Sequence, residues 1–294
     1  MTDLFHSQSD FNSNFGKEMS AAVSVYHQRQ NSGMKDNSLA VYDFVFISDT
    51  YQKLSLLGDF LSSNYNYQIK PITQQDGYYE LTGDSTEFPA DEDNLMYWAL
   101  DLYCKGYEFD SKLDGYGALG DPNSQTFPNM GSEQYDNYFS LAISAYEKRN
   151  LGMAFVHFST AIKINPNDPN VWYSRAIVRD ELYTWKSARR DYDRAIELAP
   201  DFIDAIVNRA ANKDEAGEYS NAIEDYTTAI EFDEGNAMAF FNRGNSKFNL
   251  NDKKGACEDW NMANKLGCVD AQERVYKYCS NRFKDKVLSF FNKN

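Results

Sequence analysis

The chain holds four cysteines in 294 residues. None belongs to a Cys-x-x-Cys pair, and so few in so long a sequence cannot build the disulfide framework of a small secreted domain. Cys104, Cys257, Cys268 and Cys279 are therefore expected as reduced thiols packed among apolar neighbours. Histidine is scarcer still: His6, His27 and His157 are scattered, and no spacing resembles a zinc site, a phosphate loop or a nucleophile elbow. Catalysis is not expected, nor a cofactor or metal. No apolar run approaches membrane-spanning length, and the first ten residues lack both a basic region and an apolar core, so the cytoplasm is the default location. Positive charge is also short, with 29 Lys and Arg against 44 Asp and Glu and a net charge of −15. Most of the excess lies in residues 1–130, where seven basic residues face nineteen acidic ones. Such a chain repels phosphate backbones and anionic lipid alike, so direct nucleic-acid and membrane binding are not expected and a basic protein is the better electrostatic partner.

What is present is a repeat. From Tyr135 to Asp270 a pattern recurs about every 34 residues. Tyr138, Trp172, Ile206 and Phe240 share one phase, Ala154, Ala188, Ala222 and Ala256 a second, Phe158, Tyr192, Tyr226 and Trp260 a third, and Ala161, Ala195, Ala229 and Ala263 a fourth. Within a copy the Ala, aromatic and Ala fall at i, i+4 and i+7, so each copy is a helical hairpin whose second helix lets its neighbours approach at alanine and fills the wedge with the aromatic. Pro166 and Pro200 stop the second helix in two copies, and Gly235 and Gly267 are candidates for the same task in the others. One such unit cannot bury its apolar face alone; stacked neighbours can.

These residues resemble the tetratricopeptide repeat family, in the phase Tyr135–Asp168, Pro169–Phe202, Ile203–Asn236 and Ala237–Asp270. The resemblance implies a right-handed superhelix whose concave face, lined by each first helix, holds a peptide or protein. By that resemblance Phe139, Tyr173 and Phe241 are apolar anchors, and Asn208, Asn242 and Asn245 are amides able to bond an extended backbone. Glu147, Glu181 and Glu215 recur at one position and make a negative stripe. Phe139 and Ile143 stand where a C-terminal-carboxylate clamp would need Lys and Asn, so that mode is disfavoured. The residues themselves add a further pattern. Arg175, Arg209 and Arg243 co-occur with Asp191, Asp225 and Asp259, while the first copy has Leu141 and His157 in place of both, so an Arg–Asp pair between helices is expected in three copies.

Ahead of the repeats the period changes. Phe11, Phe15, Met19, Val23 and Tyr26 make one face of a helix that Gly33 ends. Val41–Ile47 reads as a strand, Leu54–Leu61 as a helix, and Tyr67–Ile72 and Tyr78–Leu81 as strands joined by an Asp76-Gly77 turn. Asp91–Lys105 reads as a helix stopped by Gly106, and Phe109–Leu119 as a last strand. The β-α-β-β-α-β order predicts a ferredoxin-like sandwich. Tyr42-Asp43-Phe44-Val45-Phe46, that order, and the closing Asp114-Gly115-Tyr116-Gly117 together resemble the ribonuclease E inhibitor B family, which implies a small acidic protein-binding domain. Without the resemblance, the same four residues read as a turn or bulge ending an edge strand, with Tyr116 packed on a helix.

The expected architecture is α+β: a polar extension with one helix (1–38), the ferredoxin-like domain (39–121), a linker (122–134), four repeats forming an all-α superhelix (135–270) and a capping helix (271–294) that includes Phe283, Val287, Phe290 and Phe291. The expected function is a non-catalytic interaction scaffold or regulator, with a protein or peptide in the repeat groove and a second, basic protein on the acidic domain. Two alternatives stay open: a protein that neutralises a nuclease or toxin by charge complementarity, and an enzyme of unknown chemistry.

Overall fold

The structure, a computed structural model, describes residues 4–75, 77–117 and 134–279. It divides into two compact units, Met1–Thr184 and Trp185–Asn294, each taken by itself below.

In the first unit, α1 (Gln8–Asn31) begins where the Ser7 hydroxyl accepts the N–H of Asp10 and buries Phe11, Ala22 and Tyr26. Two short strands, β1 (Ser38–Ala40) and β6 (Phe88–Ala90), pair antiparallel. The main sheet holds β2 (Asp43–Ser48), β3 (Gln68–Ile69), β4 (Thr73–Gln75), β5 (Tyr78–Asp84) and β7 (Lys112–Gly117), in the order β3-β5-β2-β7 with β4 also on β5. Every pairing is antiparallel. The helix α2 (Tyr51–Tyr65) follows β2 and ends at Asn66 in the left-handed region, and α3 (Glu92–Glu108) precedes β7, capped by the Asp91 carboxylate on Asn94 N–H. Tyr42, Phe44, Phe46, Leu54, Leu57, Leu61, Leu81 and Trp98 fill the core between sheet and helices, each large side chain contributing about 2 kcal/mol.

Three local expectations need correction. The single strand over Tyr67–Ile72 is two pieces, because Pro71 has no N–H to give the ladder. Helix α3 is not stopped by Gly106 but runs on to Glu108. Gly106 serves close approach instead: a Cβ there would stand 2.9 Å from Ser111 O and 3.0 Å from the Phe46 ring. The chain reverses only at Asp110, whose φ is +49°, so the last strand starts at Lys112. Of the expected Asp-Gly turn, Gly77 has φ +89°, while Asp76 lies outside the described residues.

This core does not end with the sheet. The helices α4 (Tyr135–Glu147), α5 (Leu151–Ile164) and α6 (Pro169–Glu181) continue it. Gly152 brings α5 against α3 so closely that a Cβ would lie 2.9 Å from Trp98 Cα, and Tyr97 stacks on Phe155 at 3.8 Å. Polar bonds complete the join: Tyr65 Oη donates to Arg149 O at 2.6 Å and Tyr97 Oη lies 3.1 Å from Thr184 Oγ1, while Trp98 Nε1 donates to Tyr67 Oη at 2.9 Å beneath them. The first hairpin and α6 are therefore part of the N-terminal unit. Compactness divides the chain at Thr184, not in the 122–134 segment, of which residues 122–133 lie outside the described residues.

The second unit stacks α7 (Trp185–Leu198), α8 (Ile203–Glu215), α9 (Tyr219–Phe232), α10 (Ala237–Asn249) and α11 (Lys253–Lys265), then α12 (Val269–Arg274) and a π-helical turn, Val275–Cys279. Ala188, Ala195, Ala222, Ala229, Ala256 and Ala263 are fully buried, with Tyr192, Tyr226 and Trp260 beside them. Gly244 lets α10 meet Trp260, where a Cβ would stand 2.7 Å from the indole. Tyr278 covers the last pair, 4.8 Å from Phe248 and 5.8 Å from Trp260 between ring centres. Residues 280–294, with Phe283, Val287, Phe290 and Phe291, lie outside the described residues. No helix among the described residues is long and apolar enough to cross a membrane.

The expected reduced state fails for two thiols. Cys257 and Cys279 form a disulfide, while Cys104 and Cys268 are free. A separation of 22 residues carries no sequence motif; it becomes a bond because α12 and the π turn fold back onto α11. Closing a loop of that length stabilises by about 3 kcal/mol through the unfolded chain's entropy. Cys279→Ser is expected to lower the melting temperature of the C-terminal unit, and a reductant to do the same to the wild type but not to the variant. Equal melting curves in all four samples would refute the assignment.

Candidate partner-binding faces

The charged residues of the repeats are tied into a ladder. On α8, Arg209 Nε donates to Asp225 Oδ2 and its Nη2 to Asp225 Oδ1, both at 2.8 Å, while Nη1 reaches back to Asp193 Oδ1 at 2.8 Å. On α10, Arg243 makes the same fork on Asp259 at 2.9 and 2.8 Å and reaches back to Thr227 Oγ1 at 3.1 Å. Burial opposes the charge of Arg209, but Asp225 and Asp193 hold its guanidinium above its ordinary pKa. Arg175, in the first unit, reaches back to Ser159 Oγ at 3.2 Å and lies over the Trp172 and Phe155 rings. Asp191 is buried on α7 in the second unit.

Sequence reasoning missed half of this ladder. Lys213 and Lys247, each four residues after an arginine, add a second cation to Asp225 and Asp259 at 2.7 and 2.8 Å. Their recurrence one helical turn beyond Arg209 and Arg243 was the available signal. The backward contacts to Ser159, Asp193 and Thr227 share a repeat position but not a chemistry, which hid them.

The residues expected to face a ligand are placed unevenly. Phe139 packs into the N-terminal core, with its ring centre 5.8 Å from that of Phe158. Tyr173 is half-buried on α6. Glu181 accepts from both Tyr146 and Arg149, so it is not a solvated member of an acidic stripe; Glu147 and Glu215 are exposed. Asn208, Phe241, Asn242 and Asn245 are half-buried on α8 and α10. Asn245 Oδ1 accepts from Trp260 Nε1 at 3.1 Å, which orients the amide. Nearby, Asp214 accepts the hydroxyls of Ser246 at 2.8 Å and Tyr226 at 3.1 Å; burial raises its pKa against those bonds.

In the N-terminal unit, Asp114 is the extra residue of a bulge, since Val45 pairs with Gly115 and Phe46 with Leu113. Tyr116 meets Trp98 of α3 edge-on at 5.7 Å, and a Cβ at Gly117 would stand 3.0 Å from Asp43 Oδ1. Among the described residues no group of three or more His, Cys, Asp or Glu is arranged to hold a metal. Asp101, buried between Tyr65, Lys105 and Gly152 N–H, has its carboxyl pushed up to about 7 by burial, against the pull of those partners. It sits in the join to α5, where it receives the Gly152 N–H.

No known family profile matches the chain, and no curated protein does. Solved structures do. MamA 41-end from Desulfovibrio magneticus RS-1 is 14% identical, with 55% of this chain and 97% of that chain covered and a TM-score of 0.46. YrrB, described as a TPR protein with an unusual peptide-binding site, is 21% identical, with 57% and 76% covered and a TM-score of 0.43. The first TPR of Spaghetti (RPAP3), solved with the HSP90 peptide SRMEEVD, is 18% identical, with 40% and 94% covered and a TM-score of 0.40. These are likenesses of fold alone.

Proposed function

We propose that this chain is a non-catalytic interaction scaffold, its repeats holding a peptide or protein and its acidic N-terminal region engaging a second, basic protein. The observation that carries the first half is the division of labour on α8 and α10. The ladder of Arg209, Lys213, Arg243 and Lys247 is spent on holding first helices to second helices. Phe241 and Asn245 lie one turn apart on α10, and Asn245 gives only its carbonyl oxygen to Trp260, so its amide nitrogen can donate to a peptide carbonyl while Phe241 meets an apolar side chain.

The tetratricopeptide reading is supported by the spacing and by the alanine and aromatic positions that pack each pair. The ferredoxin-like reading is supported by the order β3-β5-β2-β7 with α2 and α3 on the crossovers. The likeness to ribonuclease E inhibitor B rests on the same order and on Asp114–Gly117, and it transmits no target, because a fold does not choose a partner. The concentration of negative charge in residues 1–130 favours, as a second reading, a protein that neutralises a basic nuclease or toxin. The disulfide Cys257–Cys279 fits an oxidising compartment, against the cytoplasmic expectation.

The test is affinity capture with the full chain and a Phe241→Glu, Asn245→Ala double variant. A partner held by the repeats is expected to lose at least tenfold in recovery with the variant, while retaining capture by the wild type in high salt. A partner recovered equally by both proteins would end the groove reading; one lost from both in high salt would support neutralisation by charge.

A further inference from the structure

The last turns of the second unit are held differently from the helices they cover. Helix α12 is six residues long and the π turn after it five, and among the described residues of this cap Ala271 alone is buried. A segment so short forms no stable helix by itself, and one buried methyl does not offset the entropy of ordering it. Two further attachments remain. The Tyr278 ring lies against Phe248 and Trp260, with the Arg274 guanidinium 5.9 Å from the Trp260 ring centre, and Cys279 is bonded to Cys257 on α11. Tyr278 is still 38% exposed, so its packing is a partial hold. The helices beneath have their own: fully buried alanines and the forks of Arg209 and Arg243. Without the disulfide, a weakly attached cap rests on a firmly built stack.

What the cap covers gives this a consequence. Trp260 is fully buried, and its Nε1 donates to Asn245 Oδ1 at 3.1 Å, the bond that orients the amide assigned above to a peptide. Tyr278 packs on that same indole and immediately precedes Cys279. Continuous contact therefore runs from the disulfide through Tyr278 and Trp260 to Asn245. Cys257 and Cys279 are both partly exposed, and the π turn that carries Cys279 has no buried side chain, so packing does not bar a small reductant.

We infer that Cys257 and Cys279 form a redox latch on the repeat groove. As a disulfide the pair holds Tyr278 over Trp260 and so fixes Asn245; as two thiols it lets Val275–Cys279 come away and frees that amide. The inference deepens the proposed function by naming a regulation of the same groove, and it rests on the reading of Asn245 as a peptide contact. The reductant is a dithiol. One of its thiolates attacks a sulfur of the bond to give a mixed disulfide, and the second closes the donor's own disulfide, so that two electrons and two protons pass to the chain and leave two thiols on it.

The experiment is NMR with hydrogen exchange on the full-length protein below its melting temperature, oxidised, reduced with dithiothreitol, and reoxidised. Reduction is expected to speed exchange at Val275–Cys279 by about tenfold or more and to shift the Trp260 indole N–H and the Asn245 side-chain amide, while α8 and α9 keep their protection. Reoxidation should restore every signal. The Cys257→Ser, Cys279→Ser double variant should show the released pattern with or without dithiothreitol, and Cys268→Ser should behave as the wild type. Unchanged exchange at Val275–Cys279 after reduction would overturn the latch, and loss of protection throughout α7–α11 would make the bond a structural staple instead. A cap that opens with Trp260 and Asn245 unmoved would overturn the link to the groove. These signals come from the protein alone, so a latch that works while no partner depends on Phe241 would remove the groove reading and leave the latch standing.

Discussion

Arg209→Glu is expected to destabilise the C-terminal unit by roughly 3–5 kcal/mol, the range for breaking a buried ion pair by removing one partner. The Asp225 side chain is 9% exposed and Arg209 20%, and the arginine joins α8 to both the preceding and the following helix. The substitution brings a third carboxylate beside Asp193 and Asp225 and leaves Lys213 to hold Asp225 unaided. For a unit of this size the loss corresponds to a fall of roughly 13–22 °C in melting temperature. Arg209→Met should cost less, because it removes the fork without adding repulsion, and joining it to Asp225→Leu should recover part of the loss, since an apolar replacement of a whole buried pair is often tolerated. Thermal unfolding of the variants checks this; a charge reversal that melts with the wild type would show that the ladder is ornamental.

Asp101→Asn is expected to change the pH dependence more than any other single substitution. Burial pushes the Asp101 carboxyl up from 3.8 to about 7. Below about pH 4 it is protonated in folded and unfolded chains alike and its contribution is complete. As pH rises from about 4 to 7 the unfolded chain releases this proton and the folded chain does not, so stability falls through that window and levels off above it. The Tyr65 hydroxyl gives its proton to Arg149 O and lies 3.2 Å from Asp101 Oδ1, where the protonated carboxyl can donate to it; the asparagine amide can donate in its place, and it removes the charge. The variant should therefore match the wild type near pH 4 and exceed it by up to roughly 4 kcal/mol at pH 8. The difference between the two curves isolates Asp101 from His157, whose burial lowers its pKa to about 4 and gives the opposite slope over part of the range. Denaturant titrations between pH 4 and 8 read the difference directly; parallel curves would mean that Asp101 ionises in the fold without penalty.

The repeats were legible because each copy meets the same packing problem. An alanine that must let two backbones meet at Ala188 must do so again at Ala222 and Ala256, and period converts that constraint into a visible signal. The strands of the first unit were legible from local composition, and their ends were not. Pro71 splits a strand by an absence of one N–H, and Gly106 reads as a helix stop until Ser111 and Phe46 are seen against it. The division at Thr184 depends on Gly152 meeting Trp98 and Tyr97 meeting Phe155, contacts between residues far apart in sequence that no local pattern announces. The same holds for the Cys257–Cys279 bond, whose halves have no shared motif. At the candidate site, Arg209, Asp225, Arg243 and Asp259 showed themselves by co-occurrence. Lys213 and Lys247 did not, because a lysine on an exposed helix ordinarily needs no partner.

The central claim is that the first helices of the repeats, not the second, present the binding face. Site-specific photo-cross-linking in living cells tests it, with a benzoylphenylalanine placed at Asn242 on α10 and, in a separate protein, at Asn261 on α11, an exposed position on the second helix of the same pair. The account predicts one discrete set of adducts from position 242, abolished by Phe241→Glu, and none of that set from position 261. Adducts from 261 with silence at 242 would contradict it.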